Sequence, residues 1–157
     1  MEIINSILSW INDNVAVVVS GLALSFTIWF SIQNRRLAND KMRKELFTEF
    51  NSRYDALNDF LEQITQSSSL EELKQKNLEE YEVLRCKLND YFNLCAEEYY
   101  WRKKRRIDKT IWKSWQAGMN SWYNKHQIIR EAWKEEYESF GYQSFYLEKG
   151  EQFFKKY

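Results

Sequence analysis

The densest chemistry in this sequence is a run of five cations, Arg102, Lys103, Lys104, Arg105 and Arg106. Such a run can dock anionic lipid headgroups or RNA, or it can be a solvated turn between helices. The turn is the favoured reading and headgroup docking the second. A nucleic-acid site would need further basic residues converging in space and aromatics free to stack, so direct nucleic-acid binding is not expected. Glu97 and Glu98 lie just upstream. Neighbouring helix positions point about 100° apart, so the two carboxylates cannot readily share one substrate atom, and one of them is expected to bind a nearby cation. His126 is the single histidine, and a lone histidine is more often structural than catalytic. No HExxH, glycine-rich phosphate loop, CxxC or nucleophile elbow occurs in the chain. No enzyme, metal or cofactor is expected on these grounds. Cys86 and Cys95 are nine positions apart, too far along one helix to bridge, and both read as reduced and buried.

The elements that must carry these residues are helical. With 157 residues, no proline and only four glycines, little interrupts long helical patterns, and one modest domain is the prior. Aromatic residues make up 17% of the chain, enough for a small domain to bury large side chains despite a hydrophilic average. Glu2 and Asp13 are the only charges before Arg35, which leaves the remainder slightly positive and gives no case for nucleic acid.

Asn14 to Asn34 carries no charge, and Val15–Ile32 reads VAVVVSGLALSFTIWFSI. At 1.5 Å per residue this is about 27 Å of helix, close to the thickness of a bilayer core. An acidic start and the terminal Trp29 and Phe30 argue against a cleaved signal peptide. Arg35, Arg36, Lys41, Arg43 and Lys44 follow the span, and no Lys or Arg precedes it, so the C-terminal part is expected in the cytoplasm with the N-terminus outside. Residues 1–12, with Ile4, Ile7, Leu8 and Ile11 at helical spacing, suggest an interfacial amphipathic helix. Residues 13–34 then form the transmembrane helix and 35–157 a cytoplasmic bundle.

The span has two unlike sides. Ala16, Ser20, Ala23, Thr27 and Ser31 fall on one small, polar face, while Gly21 and Ser25 form a second small pair nearer the bulky side. Self-association is favoured over a bare anchor, although Ser and Thr hydroxyls can also bond back to carbonyls one turn earlier. In a ring of copies the Ala16-to-Ser31 face would line a pore and Gly21 with Ser25 would touch a neighbouring helix.

Within 35–157, Leu46, Phe50, Tyr54, Leu57, Leu61 and Ile64 extend the membrane helix to about Thr65, and Ser67–Ser69 ends it. Ser69 and Glu72 make a capping box for a long helix whose face runs Leu73, Tyr81, Leu84, Leu88, Phe92, Cys95, Tyr99. The five cations complement its C-terminus, and Asp108 caps a third helix lined by Trp112, Trp115, Met119 and Trp122. A fourth helix, about 127–139, contributes Ile128, Ile129, Ala132 and Trp133, followed by a weaker aromatic tail from Tyr142 to Phe154.

Two stretches, NDYFNLCAEEYY (Asn89–Tyr100) and IDKTIWKSWQAGM (Ile107–Met119), resemble small single-span bacterial membrane proteins, in particular the accessory membrane protein of type VI-B CRISPR-Cas systems. The resemblance implies a homo-oligomeric ring, an octamer, that makes a pore in the bacterial inner membrane and supports antiphage defence by an RNA-guided nuclease. It also implies a divergent HEPN-like helical domain. HEPN ribonucleases use an Arg separated from a following His by four to six intervening residues. Here the corresponding positions before His126 hold Ser121, Asn120 and Met119, so an Asn120–His126 remnant lacks the charge that ribonuclease chemistry requires. The functional expectation is therefore a pore-forming oligomer, with a membrane-tethered binding module as the alternative and a ribonuclease last.

Overall fold

An uninterrupted helix of 50 residues, α2 (Val15–Ile64), follows a shorter amphipathic helix, α1 (Glu2–Asp13). The computed structural model describes residues 1–76 and 78–155. After α2 come α3 (Leu70–Lys76), α4 (Leu78–Lys103), α5 (Lys109–Lys125) and α6 (Gln127–Phe140), with a 3₁₀ turn at Tyr142–Phe145. No strand occurs among the described residues, and the chain is all-α. Two compact units divide within α2, between Met42 and Arg43.

The first unit holds α1 and the apolar part of α2. At the junction Asn14 closes α1: its amide and its side chain both donate to the Trp10 carbonyl, at 3.1 and 2.9 Å. Leu22, Leu24, Phe26, Ile28, Trp29 and Phe30 are all more than half exposed. The most apolar stretch of α2 has a mean hydropathy of 2.1 and none of it is buried, so the helix is long and apolar enough to cross a membrane.

The second unit has a core of its own. Phe50, Leu57, Leu61 and Ile64 bury one stripe of α2, at the spacing that sustains an amphipathic helix. The helix stops where Thr65, Gln66 and Ser67 fold their amides back onto Leu61, Gln63 and Ile64. Ser69 then accepts the Glu72 amide at 3.1 Å, as a capping box requires. The reciprocal half differs: the Glu72 carboxylate takes the amide and hydroxyl of Ser68, not the Ser69 amide, and Lys76 joins it at 2.7 Å. Lys76 and Ser68 hold the Glu72 carboxyl down at about 2.

Burial runs nearly all round the second half of α4, through Tyr91, Phe92, Leu94, Cys95, Ala96 and Glu98. This is the pattern of a central helix, which neighbours enclose on several sides. Cys86 lies on the opposite side of α4 from Leu84, Leu88 and Tyr91 and is exposed, so the expectation of two buried cysteines holds only for Cys95. On α6, Ile128, Ile129, Ala132 and Trp133 are buried as their periodicity predicts. The aromatic tail is no appendage. Phe145, Leu147, Phe153 and Phe154 are buried, and the Phe154 ring stacks on Tyr123 at 4.6 Å. Gly141 makes that return possible with a φ of 75°, which L side chains rarely adopt.

Candidate functional site

On α2, Ser20, Ser25 and Thr27 each donate to the carbonyl four residues back, on Ala16, Gly21 and Ala23, at 2.7, 2.8 and 2.8 Å. These hydroxyls are thereby satisfied within their own helix, a state compatible with lipid as well as with a partner. Ala16, Ser20, Ala23, Thr27 and Ser31 are all exposed, and a Cβ on Gly21 would meet nothing within 4 Å.

His126 stands between α5 and α6, its ring 5.3 Å from that of Trp122. Partial burial and the neighbouring charges of Lys125 and Arg130 lower its pKa. Asn120 is buried and structural, its side-chain oxygen accepting the Lys155 amide at 2.8 Å to tie the tail to α5.

The five cations end α4 and turn the chain. Lys103 is the last helical residue, and Arg105 takes a left-handed φ of 57°. The Arg105 amide donates to Arg102 and the Arg106 amide to Trp101, both at 3.0 Å, the paired bonds of a Schellman turn. Asp108 then caps α5 by accepting the Thr110 amide at 2.7 Å. The turn is also one wall of a cleft of about 650 Å³. Arg43 of α2, Arg102, Lys103, Arg105, Lys109 and Lys155 line it, with Asp108 as the acidic member of its wall. Lys103 is anchored to Glu151 at 2.8 Å and to the Tyr146 carbonyl at 3.1 Å. The cluster is therefore both an inter-helix turn and part of a basic cleft. Arg43 and Lys155 lie far from the run in sequence, so no spacing along the chain marks them as its neighbours.

Glu97 and Glu98 diverge as their spacing requires. Glu97 makes a bidentate pair with Arg53 of α2, at 2.6 and 3.1 Å. Glu98 is only 5% exposed and lines a cavity of about 200 Å³ between α2, α4 and α5, together with Tyr54, Tyr91 and Trp115. Burial drives its carboxyl up to about 8, with Arg53 opposing and Glu97 reinforcing the shift. The Tyr91 hydroxyl is buried against the Cys95 thiol with no nitrogen or oxygen partner among the described residues, while Tyr54 accepts from the Trp122 indole at 2.8 Å. One signal of this site was present in the sequence: Glu98 continues the buried stripe of Tyr91, Leu94 and Cys95, where a carboxylate is out of place. Among the described residues no cluster of His, Cys, Asp and Glu could hold a metal ion.

Glu98 should make stability depend on pH. Its folded pKa lies above its unfolded value of 4.5, so the folded chain retains a proton that the unfolded chain has released. The contribution is full below the unfolded value and fades as pH rises toward about 8. His126, lowered when folded, gives an opposite slope nearer its ordinary range, so the relevant quantity is the difference between wild type and Glu98→Gln. Urea midpoints of the two chains should separate between pH 5 and 8 in favour of the variant; parallel curves would show that Glu98 titrates normally.

No family model, curated protein or solved structure matches the chain.

Proposed function

We propose that the chain is a membrane-anchored helical binding module whose cytoplasmic head receives phosphate-bearing ligands in its basic cleft. The observation that carries this reading is the convergence of six cations from α2, α4, the following turn, α5 and the tail on one cleft, with one of them, Lys103, held there by Glu151. Each cation adds Coulombic attraction for a multivalent anion, and Arg and Lys supply charge-assisted hydrogen bonds to phosphate oxygens. Exposed apolar residues on the first part of α2 support the anchor, and the positive charges after them support a cytoplasmic head. The probe is inositol hexakisphosphate, titrated into the full chain in uncharged detergent. Binding should weaken as salt rises, and combined Arg102→Glu, Arg105→Glu and Lys109→Glu substitutions should weaken it by more than about tenfold, more than 1.4 kcal/mol. Unchanged affinity in that variant would remove the cleft from the proposal.

A second reading is the pore-forming ring of antiphage defence with a HEPN-like head, carried by the resemblance over residues 89–119 and favoured by one observation on α2. Its small face, Ala16 to Ser31, is wholly exposed and has no large side chain to keep a second copy away. Ser20→Leu with Thr27→Leu should abolish ion leakage from proteoliposomes while leaving the chain in the membrane. A chain that conducts nothing, or conducts equally with both leucines, is an anchor only.

A further inference from the structure

The geometry points to the cavity beside Glu98 as a binding site for a small organic cation, a quaternary or primary ammonium. This goes beyond the basic cleft, with which the cavity shares no lining residue.

Three features define the chemistry. Glu98 brings a buried carboxyl group to a partly enclosed space, and the cation next to it, Arg53, is already engaged by both oxygens of Glu97. A buried carboxylate without its own counter-charge is costly, and a bound cation relieves that cost directly. Around it stand the aromatic rings of Tyr54, Tyr91 and Trp115 and the thioether of Met119. Aromatic faces attract cations most strongly where water is excluded, and quaternary ammonium groups are commonly held in such aromatic surroundings. The Tyr91 hydroxyl, fully buried with no nitrogen or oxygen partner among the described residues and the Cys95 thiol beside it, adds a polar group for a ligand hydroxyl or ammonium proton. At about 200 Å³ the space admits an ammonium compound of modest size and excludes a nucleotide.

Gly118 supports the same reading from α5. It lies inside the helix, where glycine costs about 1 kcal/mol relative to alanine, yet a Cβ there would meet nothing within 4 Å. The glycine thus leaves open volume on a wall of the cavity.

The charged and titratable groups around Glu98 are few. From α2 come Arg53, with Glu49 behind it, and Tyr54; from α4 come Glu97, Tyr91 and Cys95. The α5 residues lining the cavity, Ser114, Trp115, Gly118 and Met119, carry no charge. A permanently charged ligand must bind the ionised form of Glu98. Its affinity should therefore fall about tenfold per pH unit below the Glu98 pKa, with uptake of the cation releasing a proton.

Choline and its uncharged carbon isostere, dimethylbutanol, test the assignment by calorimetry on the full chain in uncharged detergent. Choline should bind at least tenfold more tightly than the isostere and release protons into the buffer below pH 8. Glu98→Gln should remove that preference, and Gly118→Leu should block both compounds while circular dichroism and thermal melting show the helices intact. The proposal is overturned if the folded wild type binds neither compound, if it binds both equally or prefers the isostere, or if either variant leaves choline binding unchanged.

Discussion

Trp133→Ala should destabilise the helical head by about 3–5 kcal/mol, the range for emptying a buried aromatic site. Trp133 is 3% exposed, and its ring lies 4.7 Å from Phe153, 4.8 Å from Phe145 and 5.3 Å from both Phe92 and Phe154. It therefore joins α6 to α4 and to the returning tail. Truncation removes the apolar contact and the favourable ring geometries together, and leaves a void shared by residues that cannot all close in. Small domains have only about 5–15 kcal/mol in total, so the loss is a large fraction of what holds this one together. Urea unfolding in detergent, followed by near-ultraviolet circular dichroism, measures it. Trp133→Phe should retain much of the stability; a shift below about 1 kcal/mol for alanine would mean that the tail does not depend on this ring.

The second large effect lies on the ion pair between α4 and α6. Arg85 binds Glu136 at 2.9 Å and Glu135 at 3.1 Å, and Glu136 is buried while Glu135 is exposed. One Arg85 nitrogen and one Glu136 oxygen are buried without hydrogen-bond partners among the described residues. Glu136→Ala strands a mostly buried guanidinium with only the exposed Glu135, and should cost about 3 kcal/mol, the low end for breaking a buried pair. Replacing both residues, as Arg85→Met with Glu136→Leu, removes the stranded charge as well as the pair. That double variant should be more stable than either single change. If the single and double substitutions cost the same, the pair contributes little and the region is held by its apolar neighbours.

Features set by nearby residues are legible in the sequence. The Leu46-to-Ile64 stripe, the Asp108 cap and the α6 core positions depend on spacings of three or four residues, and each recurs in the fold. What the sequence leaves hidden depends on partners far away along the chain. Phe153 and Phe154 carry no helical period because they reach the core through an irregular return, past Gly141 and a left-handed Tyr146. The cleft required Arg43 and Lys155 to meet the turn, and the cavity required Tyr54, Glu98 and Gly118 from three helices to enclose one space. Cys86 shows the complementary limit, since cysteine is usually buried as a type but here its position on the helix face leaves it exposed.

At Arg105 the backbone occupies a conformation that glycine enters freely and an arginine only at a penalty of about 1 kcal/mol. Selection for heat tolerance alone would install glycine there and forfeit a guanidinium from the cleft rim. Directed evolution toward ruggedness and toward tighter anion capture should therefore diverge at this position, making Arg105 a marker of which pressure a population has experienced.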